Sequence, residues 1–489
     1  MSESAASSAS YQGSVFPNVL ADRYASAAMV DDWAPEAKVR LERELWLAVL
    51  EAQRREATTL AAAATDAALD DYRRVVDHVD LDAIRARERI TRHDVKARIE
   101  EFNALAGHEL VHVGLTSRDV TENVEQLQVR RSLEVVLGKS VALSARLAER
   151  AVELDGQIIA ARTHNVPAQP TTMGKRLANV GEELLYATGR LEDLLARYPL
   201  RGLKGAVGTQ QDQLDLLGDA AAVDRVEAAL AERLGFAHAL GSVGQVYPRA
   251  LDFDVVSALL LVASPAANLA LLVRLLAGQE LATEGFRAGQ VGSSAMPHKM
   301  NTRSAERIGG MLTVLRGHVT MAAGLAGDQW YEGDVSCSVV RRVVLPDAFL
   351  AVDGLLETTL EVVRELGVYP AMIEEELRRY LPFLSTTRLL IAAVQRGVGR
   401  ETAHELIREH AVAAVRQRRE EGSAADDLLA RLGADGRYPF DEAELRSLVE
   451  DGPVPVGRAQ EQVAAYVARV EKLAAAHPDA ASYVGGTVI

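Results

Sequence analysis

The sequence predicts an all-α protein, and three observations support this prediction. Leu-, Val- and Ala-rich patterns with helical period run from Glu122 to Leu154 and from Gly174 to Arg197. Another helix is expected from Pro35 to Thr58, because proline suits a helix start and Leu41 and Leu45 lie on one stripe. Alternation typical of strands is scarce, and aromatic residues, which sheets favour, make up only 5% of the chain.

Size and charge narrow the class of protein. The chain has 489 residues, more than one hydrophobic core usually organises, and its 48% hydrophobic and 25% charged residues are typical of globular proteins. A net charge of −15 argues against a general nucleic-acid or anionic-membrane binder, but not against a small anionic substrate in a cationic pocket. Because Cys337 is the only cysteine, no disulfide can form within the chain, and a cytoplasmic location is expected.

The helical patterns divide into three predicted domains that follow a short tail. Residues 1–16 lack the features of a secretory signal and are expected to be a disordered tail. An N-terminal helical domain is predicted over residues 17–111, a central helical-bundle domain over 112–365 and a C-terminal helical domain over 366–489. The central domain holds the longest apolar helices, and turn-rich breaks recur in the third domain.

One apolar segment, from Val255 to Val273, has no charged residue and is long enough to span a membrane. We interpret it as a buried helix instead, because it contains Pro265 and Asn268 and no second segment resembles a span. A helix that is apolar all round is otherwise one that is covered on every side. The segment therefore predicts that helices from other subunits cover it.

The most distinctive run is GFRAGQVGSSAMPHKMNTRSAER, from Gly285 to Arg307, with a catalytic loop expected over residues 285–303. Its glycines permit unusual backbone conformations next to the hydroxyls of Ser293 and Ser294. Lys299 and Asn301 offer a cation and an amide that could stabilise developing negative charge. The alternative interpretation is a surface loop with a cationic end.

A second run, ARTHNVPAQPTTMGKR, places His164 on a non-helical segment. Pro167 and Pro170 favour extended backbone, and Thr171 or Thr172 can cap the helix that follows. His164 is thus either a catalytic group on a rigid support or a solvated loop residue.

Two further runs, Thr91 to Asp94 and Thr116 to Asp119, each place a threonine three residues before an acid. This spacing predicts a capping box at the start of the following helix. Such a helix start also directs backbone N–H groups outward, where a carboxylate ligand can bind. Capping does not explain Arg92, His93 and Ser117, which are therefore candidate binding residues.

One motif favours another class of enzyme. His108-Glu109-Leu110-Val111-His112 matches H-E-x-x-H, in which two histidines on a helix bind zinc and the glutamate acts as a base. Gly107 and Gly114 bracket the motif and leave little room for that helix, and no third ligand is evident. A zinc metallohydrolase stays an alternative.

Taken together, these segments resemble the fumarase/aspartase superfamily. The run GSSAMPHKMN, from Gly292 to Asn301, is similar to its Gly-Ser-Ser-x-x-Pro-x-Lys-x-Asn signature. Further matches follow in order: RHDV at Arg92, HVGLTSRDV at His112, RTHNVPAQPTT at Arg162, GAVGTQ at Gly205, GQVYPR at Gly244 and LPDAFL at Leu345. The early pair Arg23-Tyr24 and His298, just before the signature lysine, are similar to the adenylosuccinate lyase family.

The resemblance implies a reaction and a role for each matching residue. Members of that family release fumarate from adenylosuccinate, giving AMP, and from SAICAR, giving AICAR, in purine biosynthesis, without a cofactor or metal. Ser293 matches the general base, His164 the general acid, and Glu306 the carboxylate that orients this histidine. Residues that match substrate contacts are Arg23, Tyr24, Arg92, His93, Asp94, Thr116, Ser117, Gln245, Ser294, Lys299, Asn301, Arg307, Ser338 and Arg342.

The same resemblance implies a homotetramer. Central helices of four subunits would form one bundle, and each active site would lie where three subunits meet. His93, His164 and Ser293 would then come from different chains, and the partners would be small-molecule substrates and other copies of the chain, with no nucleic acid or membrane.

Three positions depart from the family pattern, and two of them, Asn165 after His164 and Thr302 after Asn301, remove no reacting group. The third affects substrate binding. Trp330 is followed by YEGD, where many relatives have Glu-Arg-Asp with an arginine that contacts substrate. Gly333 cannot make that contact, so either Arg341 or another cation compensates, or the substrate carboxylate is held differently. Superfamily members that act on argininosuccinate, malate, aspartate or carboxymuconate share the serine loop and stay as alternatives, as does a non-enzymatic descendant.

Overall fold

The computed structural model describes residues 17–286, 289–422 and 428–486, and within them the all-α prediction is confirmed. The predicted tail, residues 1–16, lies outside the described residues, as do residues 287 and 288 of the predicted loop. The three helices expected from the sequence are present as Pro35–Glu56, Ser117–Glu153 and Met173–Arg197.

The helices of the first half are α1 (Val19–Arg23), α2 (Ala27–Trp33), α3 (Pro35–Glu56), α4 (Thr58–Ala63), α5 (Asp66–Val75), α6 (Leu81–Thr91), α7 (Asp94–Ala106), α8 (Ser117–Glu153), α9 (Met173–Arg197), α10 (Gln211–Leu217) and α11 (Ala220–Arg233). Those of the second half are α12 (Ala250–Gly278), α13 (Arg303–Leu325), α14 (Ser336–Glu365), α15 (Pro370–Leu384), α16 (Thr386–Gln395), α17 (Arg400–Glu421), α18 (Leu428–Gly433), α19 (Glu442–Glu450), α20 (Ala459–Ala476) and α21 (Pro478–Ala481). The described strands are β1 (Ile158–Thr163), β2 (Val166–Thr172), β3 (Ala282–Thr283) and β4 (Gly367–Val368).

Five long helices, α8, α9, α12, α13 and α14, pack together as a bundle. Their leucine, valine and alanine side chains form the largest buried core, which also takes in residues of α1, α2 and α3. The late helix α20 returns to this bundle and packs on α8 and α9. A second core lies further along the chain, between α16 and α19. The domain boundaries at 111 and 365 stay predictions.

The apolar segment predicted from Val255 to Val273 lies within α12. In the described part of the chain, α12 alone is long and apolar enough to cross a membrane by length and composition, and 56% of that window is buried within this chain. It packs against α9, α13 and α14, which accounts for the buried side. Leu261, Leu271 and Leu275 remain 41%, 52% and 45% exposed, so the chain by itself leaves an apolar face of α12 uncovered.

A cluster of buried charges joins three helices of the bundle. Arg341 on α14 lies 2.8 Å from Asp252 on α12 and 2.7 Å from Glu125 on α8. Glu122, also on α8, is paired with Arg249 at 2.9 Å and with Arg341 at 3.3 Å. Charges this deeply buried are stable only when paired, so these contacts fix how the helices meet.

The two small sheets support loops. Strands β1 and β2 form an antiparallel hairpin, with Thr163 opposite Val166 and an irregularity between Ala161 and Arg162. The hairpin packs on α15, where Arg162 forms an ion pair with Glu376. Strands β3 and β4 pair antiparallel and anchor the chain just before the predicted catalytic loop.

Candidate active site

A buried carboxylate that the sequence analysis did not single out closes the base of the loop over residues 285–303. Glu284 is 7% exposed and accepts hydrogen bonds from the backbone amides of Ser304 (3.0 Å) and Ala305 (2.9 Å). These amides belong to the first turn of α13, where the helix dipole favours a carboxylate. Glu284 thus holds both ends of the loop together. An acid before a glycine-rich run is too common in sequences to reveal this role.

Inside the loop the chain folds back on itself. Asn301 Nδ2 donates to the carbonyl oxygen of Gly292 at 2.8 Å. A Cβ on residue 292 would lie 2.1 Å from the carbonyl oxygen of Lys299, so only glycine fits this crossing. The Lys299 side chain is exposed, and among the described residues it has no ion pair or hydrogen-bond partner. The predicted cation is therefore open to a ligand, whereas Asn301 serves the loop itself.

Ser293 Oγ is held as a hydrogen-bond acceptor. The backbone amides of Ala295 and Met296 donate to it at 3.3 Å and 3.1 Å. Two N–H dipoles directed at one oxygen stabilise negative charge on that oxygen. A serine hydroxyl is otherwise a very weak base, so this is the local arrangement that a serine base requires. The neighbouring Ser294 is exposed, and the described residues offer its side chain no hydrogen bond.

His298 lines a cavity of about 440 Å³ together with Met300, Tyr369 and Met372. Ala282 and Thr283 of β3 form another wall of the same cavity. The histidine before the signature lysine is therefore beside the β3–β4 anchor of the loop.

Two predicted nucleotide contacts from distant parts of the sequence meet at the start of α13. The guanidinium of Arg307 lies over the ring of Tyr24, 5.2 Å from the ring centroid, which is within cation–π range. Arg23 precedes Tyr24 and is exposed, and Glu306 is exposed in the first turn of α13. The fold thus places Arg23, Tyr24, Glu306 and Arg307 in one region.

The starts of α7 and α8 bring His93 and Ser117 into contact. His93 Nδ1 accepts the backbone N–H of Lys96 at 3.3 Å, and His93 Nε2 lies 3.3 Å from Ser117 Oγ. Since Nδ1 is the acceptor, the neutral imidazole carries its hydrogen on Nε2 and donates it to the serine. Thr116 is the N-cap residue of α8 and forms the predicted capping box with Asp119.

Asp94 and Arg342 come together at the same helix starts. The guanidinium of Arg342 lies 3.5 Å from Asp94 Oδ2, and Ser338 stands one turn earlier on α14. Burial is the largest single influence on Asp94 and raises its pKa, but Arg98, the amide of Val95 and Arg342 together lower the pKa below its usual value. Asp94 is therefore a fixed anion that holds the exposed Arg342 at the site.

The predicted capping role of Thr91 is wrong. Helix α6 ends at Thr91, Arg92 is its C-cap in the left-handed region with φ of 51°, and α7 begins only at Asp94. His93 is the N-cap of α7, and its ring nitrogen accepts the backbone N–H of Lys96, as a threonine hydroxyl does in a usual cap. The Thr-x-x-Asp spacing misled because one helix ends where the next begins, and spacing alone cannot distinguish these two ends.

Gln245 lies against the loop that departs from the family pattern. Its backbone N–H donates to the carbonyl oxygen of Glu332 at 2.7 Å. Gly333 has φ of 143°, and a Cβ there would lie 3.0 Å from Val246 Cγ2. Glycine at position 333 is therefore suited to the backbone of this loop, and an arginine would be strained there.

The alternative that Arg341 replaces the missing arginine does not fit the structure. The Arg341 side chain is 3% exposed and is paired with the carboxylates of Glu125 and Asp252. Arg118 is a cation that does reach the loop, because its guanidinium lies 3.4 Å from the carbonyl oxygen of Asp334. This leaves Arg118 rather than Arg341 beside Gly333.

His164 stands at the tip of the β1–β2 hairpin, as the prediction of a non-helical support requires. His164 and Asn165 have φ of 51° and 62°, the left-handed values of a two-residue type I′ turn. Thr172, one of the two predicted caps, accepts the backbone N–H of Lys175 at 3.0 Å at the start of α9. The His164 side chain is exposed, and no hydrogen bond or ion pair joins it to Ser293 or Glu306 in the described part of the chain.

The zinc alternative is contradicted by the local backbone. Residues 108–114 form loop and turns rather than a helix, so the two histidines do not share a helix face. His108 Nε2 lies 2.9 Å from Asp71 Oδ2, whereas His112 Nδ1 accepts the Trp46 Nε1–H at 3.0 Å. Among the described residues, no group of three His, Cys, Asp or Glu side chains is placed to hold a metal ion.

His112 also gives a pH prediction. Burial lowers its pKa from 6.5 to about 4 in the folded state, and protonation of Nδ1 would break the hydrogen bond from Trp46. Between about pH 6.5 and pH 4 the unfolded chain therefore binds this proton more readily, so stability falls as the pH falls. We expect urea midpoints of a His112→Gln variant to decline less across this window than those of the wild type.

The comparison between the two proteins isolates His112 from an opposing group. Burial raises the pKa of Asp32 from 3.8 to about 6, which adds stability as the pH falls through the same range. This contribution is common to both proteins and cancels in their difference. Equal slopes for wild type and variant would show that His112 does not control the pH dependence.

The fold is that of the fumarase/aspartase class of lyases. The structure of a fumarate lyase from Mesorhizobium sp. BNC1 matches with a TM-score of 0.76 and 20% identity, covering 93% of this chain and 100% of that chain. The 3-carboxy-cis,cis-muconate lactonizing enzyme from Pseudomonas putida matches with a TM-score of 0.77 and 22% identity, covering 93% of this chain and 99% of that chain. At these identities the likeness shows the fold alone.

Sequence comparison is more specific. A family model described as Lyase matches residues 23–317, and one described as Adenylosuccinate lyase C-terminus matches residues 382–466. Adenylosuccinate lyase of Saccharomyces cerevisiae is 35% identical over 457 residues, covering 92% of this chain and 93% of that protein. The chain belongs to the adenylosuccinate lyase family.

Proposed function

We propose that this protein eliminates fumarate from adenylosuccinate, leaving AMP, and from SAICAR, leaving AICAR. The choice of substrates is supported by the similarity to curated adenylosuccinate lyases along nearly the whole chain. The observation that carries the chemistry is the Ser293 Oγ held by the amides of Ala295 and Met296. Among the described residues of the signature loop, Ser293 is the serine whose hydroxyl oxygen accepts two backbone amides, as a base at this position requires.

The reaction breaks the bond between the succinyl group and the purine-side nitrogen. Ser293 would remove a proton from the carbon beside one succinyl carboxylate, which places a second negative charge on that carboxylate. N–H donors and cations directed there lower the barrier most. Thr116, Ser117, Lys299 and Asn301 are the proposed donors, and Ser294 lies next to the base. Asn301 would have to leave the Gly292 carbonyl, to which it donates in this structure.

The departing nitrogen needs a proton, and we assign this step to His164. The imidazole projects at the tip of the hairpin with no described hydrogen bond, so it is free to meet a substrate. Glu306 would orient this ring. The nucleotide and its phosphate would lie along Arg23, Tyr24, Arg307, Ser338 and Arg342, with Arg92, His93, Asp94 and Gln245 as further contacts.

The proposal includes a homotetramer with shared active sites. The proposed base, acid and carboxylate-binding residues lie on separate elements, and many of their side chains are exposed in the single chain. The uncovered leucines of α12 provide an apolar face for other subunits, since burial of such a face is favourable. A reaction of this type requires no cofactor or metal, and a cytoplasmic location fits its substrates.

The direct test offers adenylosuccinate, SAICAR and argininosuccinate separately to the purified protein and follows the absorbance of each reaction. We expect turnover of the first two and none of the third, because the proposed phosphate contacts recognise a nucleotide. Turnover of argininosuccinate alone would overturn the proposed substrates while retaining the class of reaction.

Sharing of sites between subunits predicts complementation. His164→Ala and Ser293→Ala proteins should each be nearly inactive, whereas hybrid tetramers formed by mixing them should recover part of the wild-type activity. Recovery is expected because some sites in a hybrid combine an intact His164 from one chain with an intact Ser293 from another. Hybrids that form, as shown by exchange of differently tagged subunits, but stay inactive would contradict shared sites.

A further inference from the structure

Asp119, in the first turn of α8, makes more contacts than a helix cap requires. Its side chain is fully buried, and Oδ2 accepts the backbone N–H of Thr116 at 2.8 Å and the Thr116 hydroxyl at 3.1 Å. The bond from the Thr116 backbone N–H is one half of the capping box, and the other half joins the Asp119 backbone to the Thr116 side chain. The other oxygen, Oδ1, faces away from the helix start and accepts hydrogen bonds from Arg201 (2.7 Å), Lys204 N (2.9 Å) and Gly205 N (3.0 Å).

Arg201 extends the connection to a third segment. It too is fully buried, and its guanidinium donates to the carbonyl oxygens of Gly205 at 3.2 Å and Gly244 at 3.1 Å. Gly244 immediately precedes Gln245, whose backbone N–H donates to Glu332. One ion pair therefore links the turn at residues 116–117 to the loops at 201–205 and 244–245.

We propose that Asp119 and Arg201 are positioning residues for the substrate carboxylate site. Together they fix Thr116 and Ser117 relative to Gln245, three residues to which the proposed function assigns substrate contacts and on which this inference therefore rests. Neither Asp119 nor Arg201 reaches solvent, so neither touches substrate. They act by fixing the distance between Thr116 and Ser117 on one side and Gln245 on the other, which are the proposed substrate contacts.

Because Asp119 is a carboxylate, it can accept hydrogen bonds from the helix cap and from the loop at residues 201–205 at the same time. A carboxylate accepts hydrogen bonds on two oxygens, whereas an amide of the same size accepts on one and donates on the other. An Asp119→Asn variant therefore keeps either the cap or the loop contacts but not both, and leaves the Arg201 cation buried without its counter-ion. The turn and the loops would then be free to separate.

The test compares Asp119→Asn with Glu101→Gln, which removes a charge from another buried ion pair. The Arg43 and Glu101 side chains are 0% and 3% exposed, close to the 0% of both Arg201 and Asp119, but contact none of the proposed site residues. We expect Asp119→Asn to lower kcat/KM for adenylosuccinate by about 10²-fold, mainly through a higher KM, because small misplacements of binding groups have effects of this size. Glu101→Gln should lose a similar amount of thermal stability while its KM stays unchanged.

Hydrogen exchange provides a readout that does not depend on turnover. In Asp119→Asn, peptides covering residues 112–119, 200–206 and 241–247 should lose protection together, and in Glu101→Gln they should not. If Asp119→Asn does not fold, Arg201→Lys, which keeps the charge but loses the forked contacts, takes its place in both measurements. A folded variant with wild-type KM and unchanged protection at 241–247 would overturn the inference.

Absence of turnover by the wild type would instead overturn the proposed function, and the exchange pattern would still decide the inference.

Discussion

Replacement of Ser293 by alanine is expected to lower kcat for adenylosuccinate by roughly 10³-fold, within the range typical for loss of a general base. The amides of Ala295 and Met296 prepare one oxygen to carry negative charge, and alanine leaves these donors without an acceptor. KM should change far less than kcat, because the base acts on a proton that moves only in the transition state. Steady-state kinetics on the purified variant would measure both quantities.

The neighbouring serine supplies the control. Ser294→Ala removes a hydroxyl from the same loop, but one that is exposed and receives no described backbone amide. We expect its loss of activity to be at least tenfold smaller than that of Ser293→Ala, since it is a proposed binding contact rather than the base. If the two variants were equally impaired, or if Ser293→Ala retained wild-type kcat, Ser293 would not be the base.

Replacement of Arg341 by methionine is expected to lower the free energy of unfolding by about 3–5 kcal/mol, the usual effect of breaking a buried ion pair. Arg341 contacts Glu122 and Glu125 on α8, Asp252 on α12 and the hydroxyl of Tyr247. Methionine fills much of the same volume but leaves these carboxylates with fewer cations in a medium that solvates charge poorly. Urea denaturation of both proteins at one protein concentration would measure the difference.

Arg342 is the matched control because it is the next residue on the same helix. Its side chain is 63% exposed and meets only Asp94 among the described residues. Arg342→Met should change the free energy of unfolding by no more than about 0.5 kcal/mol, as is usual for exposed positions. It should instead raise KM, because Arg342 is a proposed phosphate contact. Equal stability of the Arg341→Met and wild-type proteins would show that the buried charges do not hold the bundle.

Much of the candidate site could be predicted because its residues stand in continuous motifs. The loop from Gly292 to Asn301 carries its serine, lysine and asparagine within ten positions, and two prolines predict the extended, non-helical segment that carries His164. The contacts between motifs could not be predicted. Tyr24 meets Arg307, and Asp94 meets Arg342, only because the packing of elements from separate parts of the chain brings these side chains together.

The errors also have physical causes. Thr91 has the spacing of a cap, but the backbone reverses at Arg92 and gives the cap position to His93. Arg341 has the charge to replace a missing arginine, but the carboxylates of Glu122, Glu125 and Asp252 hold it inside the bundle. Sequence shows which charges exist, whereas desolvation and pairing decide which of them face a substrate.

The chain's order of apolar and polar residues alone determines that it is helical and that one loop carries a serine, a lysine and an asparagine. Periodicity and motif spacing are local properties, so the sequence contains them directly. Only the tertiary structure decides that Ser293 Oγ accepts two amides, that Glu284 closes the loop and that Asp119 joins three loops through Arg201. The serine contact depends on how the loop backbone folds over a few neighbouring residues, whereas the other two depend on hydrogen bonds between residues 20 or more positions apart. Such distant partners are chosen by packing and by the need to satisfy buried polar groups.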